Sequence, residues 1–294
     1  MATTPRLEPQ PIADGLTGSV SGASLPATIH AAAIALRNVV LGGNLMSLPL
    51  LRHPSRFVGY VNEALFLHRA LTGAHGLPQR NVFELFPDHD SVSVQFGGLR
   101  PSSLSGDTWF HPIASYTADL VALCQLCQLL QPRRVFEIGT LRGYTTLHLA
   151  LNTPPDARVF TLDLPPDRPA VPALQTTIVD DRHIRVHGAV ERYFFDDTAA
   201  AGKISRLYGD SATFDYAPYA GTVDLFFIDG AHSYEYVRSD TLNALRCCHP
   251  GSVIAWHDFG RFGVNGVTRW LREFSRNHAV YCVPGGSLAY MRIE

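Results

Sequence analysis

The chain has 294 residues, 46% of them hydrophobic, with 24 Lys+Arg against 26 Asp+Glu and a formal net charge of -2. That is enough apolar chain to bury a large core. The balanced charge, with no block of one sign, argues against a protein built to search for nucleic acid or an anionic membrane, and leaves a small, nearly neutral partner as the expectation.

The five cysteines (124, 127, 247, 248 and 282) are odd in number and lack the spacing of a secreted disulfide framework, so a reducing cytoplasm is expected. Cys124 and Cys127 form a C-x-x-C pair inside the helical stretch "ADLVALCQLCQLL" and read as buried thiols rather than as a redox motif.

Residues 1–26 are rich in Pro, Gly, Ser and Thr, have no signal-peptide pattern and read as a mobile leader. From 27 to about 71 the pattern is helical, clearest in "PSRFVGYVNEALFLHRAL", and Gly73 and Pro78 stop it. The most apolar early stretch, "AAAIALRNVVLGG", is too short for a membrane span and contains Arg37 and Asn38. The irregular segment that follows reads as a long loop or lid containing Trp109, Phe110 and His111. Residues 27–112 are therefore taken as a helical accessory region, expected to cover an active site or to form a homo-oligomer contact.

From residue 113 to 294 the chain becomes regular. A helix from Ala114 to Leu130 precedes strand "RRVFEIG", then come a helix from about Tyr144, strand "RVFTLDL", a proline-rich loop, and strands "KISRLYGD" and "VDLFFIDG". Helix "SYEYVRSDTLNALRCC", strand "SVIAWHD" and helix "GVTRWLREFSRN" follow, and "VYCV" and "LAYMRI" close the chain across "PGGS". Alternating strands and helices predict an α/β fold, a doubly wound and mainly parallel seven-stranded sheet, with the last two strands as an antiparallel hairpin.

In such sheets ligands bind beyond the carboxyl ends of the strands. The first end, "EIGTLRGYTT", carries Glu137, Gly139, Thr140, Gly143 and Thr145, with glycines that permit a tight turn at a helix N-terminus. Its E-x-G-x-x-x-G spacing differs from the dinucleotide G-x-G-x-x-G, which argues against a nicotinamide enzyme, as does the lack of a Tyr-x-x-x-Lys pair. Asp163, twenty positions after Gly143, suits the hydroxyls of a ribose or else caps a turn before Pro165. Asp210 and Ser211 suit an adenine edge or a helix cap. Asp229 ends one apolar strand and His257–Asp258 the next; acids at adjacent buried strand tips repel unless a cation lies between them, and the bland alternative is again capping. His232 stands three residues after Asp229, either at the same spot or as a helix-cap histidine, while Tyr234 and Tyr236 read as packing or solvent-facing residues.

Taken together, E-x-G-x-x-x-G-x-T, the ribose Asp, Asp-Ser, I-D-G-A-H-x-Y, H-D-F and a terminal hairpin resemble class I S-adenosylmethionine-dependent methyltransferases with a Rossmann-like fold, over roughly Ala114 to Glu294. "IDGAHSYEYVRSD" with "WHDFG" is similar to the metal-dependent small-molecule O-methyltransferases of the macrolide-sugar and rhamnosyl type, and more distantly to catechol O-methyltransferase. The resemblance implies S-adenosyl-L-methionine bound by Glu137, Gly139, Thr140, Gly143 and Thr145 at its methionine part, by Asp163 at the ribose and by Asp210 and Ser211 at the adenine, with Asp229 bordering the cofactor. It implies a divalent metal at Asp229, His257 and Asp258, and His232 as the base that deprotonates a hydroxyl of a small-molecule acceptor. His257 departs from the pattern, since several relatives carry a carboxylate there and an imidazole favours Mn²⁺ or another softer ion over Mg²⁺: either the site takes a softer ion, or His257 orients a water beside the metal, or no metal binds. The alternatives are a metal-independent N- or C-methyltransferase of the same fold, or a non-catalytic cofactor-binding module.

Overall fold

The computed structural model describes residues 76–97, 113–166, 171–187, 192–261 and 264–294. The leader, the helical stretch expected over 27–71, and Trp109, Phe110 and His111 lie outside the described residues. All described residues fall within the compact unit Ser55–Glu294.

Helix α1 (Ile113–Leu130) leads into β1 (Arg134–Ile138), α2 (Tyr144–Leu151), β2 (Arg158–Asp163), α3 (Ile178–His187) and β3 (Ile204–Tyr208). Then come β4 (Val223–Ile228), α4 (Tyr234–Cys247), β5 (Cys248–Trp256), α5 (Asn265–Phe274), β6 (Tyr281–Cys282) and β7 (Ala289–Arg292). The strands form one seven-stranded sheet in the order β3-β2-β1-β4-β5-β7-β6. β1 to β5 pair in parallel, while β7 pairs antiparallel to both β5 and β6. The strand order reverses between β1 and β4, where an open α/β sheet leaves its ligand crevice.

Both faces of the central strands are covered, as their continuous apolar runs require. Phe136, Phe226, Ile254 and Trp256 pack on one side with Val237 and Ala244 of α4 and Leu271 and Phe274 of α5. Val135, Leu225, Phe227 and Val253 pack on the other side with Leu123 and Leu126 of α1 and Leu147 and Leu149 of α2. Part of the segment read as accessory region belongs to this second layer: Val82 is 1% exposed within it. Gln79 bridges to Cys282, and the Asn152 side chain bonds both backbone groups of Gln95.

The seven strands and the terminal hairpin follow the sequence pattern, but α3 does not. The segment read as a proline-rich loop contains a helix, because the last proline, Pro172, precedes it and Thr177 and Asp180 close its first turn reciprocally. The Thr177 N–H donates to Asp180 Oδ2 (2.7 Å) and the Asp180 N–H to Thr177 Oγ1 (3.2 Å), a capping box. All five cysteines are free and buried. Among the described residues no helix is long and apolar enough to cross a membrane.

One buried hydroxyl joins α4 to its neighbours. Thr241 Oγ1 accepts the indole N–H of Trp256 (2.9 Å) and of Trp270 (2.8 Å) and donates to the Val237 carbonyl (2.7 Å), which uses its full hydrogen-bonding capacity. Thr241→Val keeps the shape and strands two buried indole donors. It is expected to lower the free energy of unfolding by about 2–4 kcal/mol in a urea titration, whereas Thr241→Ser should stay near wild type.

Candidate functional site

The parallel register decides where the acids lie. Ile228 of β4 pairs with Trp256 of β5, so Asp229 and His257, one residue further on, leave adjacent strands side by side. The His257 N–H extends the ladder to the Ile228 carbonyl (3.0 Å) and the Asp229 N–H to the Ile138 carbonyl (2.9 Å). His257 Nδ1 lies 3.1 Å from Asp229 Oδ1 and 3.2 Å from Asp258 Oδ1. Asp258 holds φ at 65°, a left-handed conformation that turns the chain immediately after the strand.

His232 completes the cluster. Its Nε2 is 2.9 Å from Asp258 Oδ2 and its Nδ1 is 2.6 Å from Asp180 Oδ1. Neither Asp229 nor Asp258 serves as a helix cap: Ser233 caps α4, its side chain accepting the Tyr236 N–H. One oxygen of Asp229, one nitrogen of His232 and one oxygen of Asp258 lie within 4.8 Å of one another, a set able to hold a metal ion. Asp258 Oδ1 is buried without a hydrogen bond, although Arg261 Nε is 3.1 Å away.

Three members of the site escape the sequence reading. Asp119, on α1, accepts from the backbone of Ser287 (2.7 Å) and Leu288 (2.8 Å) and from Ser287 Oγ (2.7 Å). It also faces Arg261 Nη2 (2.9 Å) and His257 Nε2 (3.4 Å). Asp180 and Arg261 are the other two. The signal for Asp119 was a lone acid in an otherwise apolar helix, which a buried position tolerates only when paired. Thr177-x-x-Asp180 signalled only a helix start.

Electrostatically the cluster sets Asp119, Asp180, Asp229 and Asp258 against His232, His257 and Arg261. Burial alone would strip the histidines of their protons, yet the acids outweigh it. His232 is raised to about 10 by Asp180 and Asp258, and His257 lies well above its ordinary value beside Asp229 and Asp258. Burial likewise pushes Asp258 up, and His257 and His232 more than reverse this, leaving it well below the usual carboxylate range.

The glycine turn lies against this cluster. Gly139 has φ +97°, and a Cβ there would sit 2.0 Å from the Asp229 carbonyl oxygen, so no side chain fits. On the far side of the loop, a Cβ on Gly266 of α5 would fall 2.2 Å from the His232 carbonyl oxygen. Gly143, also left-handed, is the N-cap of α2. Asp163 Oδ2 accepts the N–H groups of Thr140 (3.0 Å) and Leu141 (2.7 Å), and its Oδ1 accepts that of Leu164 (2.7 Å). Beneath the turn, Glu137 Oε2 accepts the hydroxyls of Thr146 (2.5 Å) and Thr161 (2.6 Å). Thr145, the neighbour chosen from sequence, is half-buried in the first turn of α2.

Asp210 Oδ1 accepts the Ala212 N–H (2.9 Å), a local turn, while Oδ2 accepts the Ala173 N–H (2.7 Å) and the Tyr236 hydroxyl (2.7 Å). Tyr236 is thus a buried partner of Asp210, whereas Tyr234 is bonded to Glu273 through its hydroxyl. Ser211 is buried, and its carbonyl accepts the Tyr216 hydroxyl (3.2 Å).

Residues 136–259 match the model of a family described as a methyltransferase domain. Over 134 residues the chain is 29% identical to a catechol O-methyltransferase of Mycobacterium tuberculosis. That match covers 45% of this chain and 50% of the relative, so the chain spans about half the length of the curated relative it matches. Among solved structures it is similar to the O-methyltransferase TomG of Streptomyces achromogenes, involved in tomaymycin synthesis and solved with S-adenosylmethionine. The identity there is 20%, over 72% of this chain and 96% of that one, with a TM-score of 0.43. It is also similar to an O-methyltransferase of Bacillus cereus in complex with SAH, at 17% identity over 62% and 83% of the two chains and a TM-score of 0.41.

Two buried acids give the domain a pH signature. Burial raises Glu137 from 4.5 to about 8, against the pull of its two threonine hydroxyls. Burial raises Asp240 of α4 from 3.8 to about 8, and the neighbouring Ser211 offsets only part of the cost. Above the unfolded value the unfolded chain loses a proton that the folded chain keeps. Stability therefore falls as pH rises through the window from 4.5 to 8 for Glu137 and from 3.8 to 8 for Asp240, by up to about 1.4 kcal/mol per pH unit for each group. Urea unfolding across that window is expected to show a shallower decline for Glu137→Gln and for Asp240→Asn than for wild type; equal slopes would remove these groups as the cause.

Proposed function

We propose that this chain, whose residues 136–259 match the model of a methyltransferase domain, is a class I methyltransferase that moves a methyl group from S-adenosylmethionine to a hydroxyl of a small molecule, with His232 as general base and a divalent cation held at Asp229, His257 and Asp258. The observation that carries this reading is the convergence of those four side chains at two parallel strand tips, in backbone contact with the glycine turn.

The residues fit a divalent cation. The group whose ligand atoms lie within 4.8 Å of one another is Asp229, His232 and Asp258; His257 adjoins it, with Nδ1 3.1 Å from Asp229 and 3.2 Å from Asp258, and an imidazole favours Mn²⁺ or a softer ion over Mg²⁺. A cation there would supply Lewis acidity, lowering the pKa of a hydroxyl as it does that of water. S-adenosylmethionine supplies an electrophilic methyl on a sulfonium and so provides the leaving group.

The rest is the work of this chain. Gly139, Thr140, Gly143 and Thr145 form the turn for the methionine part, with Glu137 bracing it from below through Thr146 and Thr161. Asp163 already holds the backbone of that turn through Thr140 and Leu141, and its place at the end of β2 suits a ribose. Asp210, fixed by Tyr236, and Ser211 border the adenine. His232 takes the acceptor proton at Nε2, the nitrogen that faces Asp258. Asp180 at Nδ1 and Asp258 at Nε2 both raise the pKa of His232.

One feature favours a second, metal-independent reading. His257 Nδ1 and Arg261 Nε lie within 3.1 to 3.2 Å of the acids and could neutralise them without a metal. Chelator treatment followed by single-metal add-back separates the two, with transfer from labelled S-adenosylmethionine to a panel of vicinal diols as the readout. The expected result is a loss of activity that Mn²⁺ or Mg²⁺ restores; indifference to metal removes the cation. His232→Ala should cut turnover by about 10²–10⁴-fold while S-adenosylmethionine affinity, read by calorimetry, stays near wild type.

A further inference from the structure

We propose that Asp180 is a positioning residue that fixes the orientation of the His232 ring, with an N–H at Nδ1 bonded to Asp180 and Nε2 turned to face Asp258. Its relevance to methyl transfer rests on the role proposed for His232 above; the pair itself does not.

Asp180 is 4% exposed and reaches the site from α3, an element that carries no residue of the cofactor turn or of the acid pair. A single oxygen, Oδ1, accepts both the His232 backbone N–H (3.0 Å) and the ring at Nδ1 (2.6 Å). Two bonds from one residue to one oxygen define the side-chain torsions as well as the position. Rotating the ring by half a turn would set a C–H against the carboxylate, and an ionised carboxylate can only accept, so the proton between them belongs to Nδ1. Nε2 then faces Asp258 Oδ2 at 2.9 Å.

The other oxygen, Oδ2, accepts the Thr177 N–H in the capping box of α3. Both oxygens thus receive N–H groups, which makes Asp180→Asn informative. Its amide NH₂ must either confront the Thr177 N–H and break the cap, or confront His232 and force the opposite tautomer. Capping alone would not require the second interaction. Thr177→Ala separates the roles, because it removes only the hydroxyl half of the box and leaves the carboxylate beside the imidazole.

The experiment is ¹⁵N-histidine NMR on the full chain, with His232 identified among the 13 histidines by the signals missing from His232→Gln. Expected for wild type and Thr177→Ala is a slowly exchanging, strongly downfield Nδ1–H proton on His232. Asp180→Asn should lose it, and should lower turnover on any responsive diol by at least about tenfold with unchanged affinity for S-adenosylmethionine. Absence of that proton in wild type overturns the proposal even if Asp180→Asn does not fold, as does its persistence in Asp180→Asn or its equal loss in Thr177→Ala. A wild-type protein that shows the proton but methylates nothing would refute the function proposed above and leave the Asp180–His232 pair in place.

Discussion

The site depends on the parallel register of β4 and β5. With Ile228 opposite Trp256, the residues that follow emerge together above a sheet buried on both faces, and those residues are Asp229, His257 and Asp258. Placing acids there is costly unless positive charge comes with them. The chain supplies it through His257 against Asp229, Arg261 against Asp119 and His232 against Asp258, each pair joining different stretches of backbone.

Those stretches are tied to distant parts of the fold. Asp119 on α1 links the site to the turn before β7 through Ser287 and Leu288 and reaches Arg261 and His257. Asp180 links it to α3. Secondary structure alone would not align these groups; the charged contacts couple the site to helices on the sheet's flanks and to the terminal hairpin, so the domain must be folded before the site exists.

Much of this was legible from residue order. Continuous apolar runs ending in Asp or His-Asp located the strands and the strand tips, and "PGGS" between two short β-rich runs located the hairpin. The helix at Ile178–His187 was hidden because prolines dominate the segment before it, although none lies inside it. Asp119, Asp180 and Arg261 were not assigned because their roles come from long-range pairing, which no local spacing encodes: Asp119 meets Arg261 across 142 positions. Tyr236 is buried, as a packing residue should be, but the bond from its hydroxyl to Asp210 on another loop was not legible, for the same reason. The turn at Gly139 was read as an adaptation to a ligand, and the structure adds a second cause, the passage of the Asp229 backbone beneath it.

That passage, with its counterpart at Gly266, limits how the protein can be engineered. Replacing glycine by alanine inside a helix ordinarily gains up to about 1 kcal/mol, and Gly266, in the first turn of α5, looks like a natural choice for such a thermostabilising exchange. Here a methyl group would collide with the His232 carbonyl, just as one at Gly139 would collide with that of Asp229. A stabilisation campaign guided by helix propensity would therefore push α5 away from the loop that carries Asp229 and His232, and both glycines should be held fixed in any library.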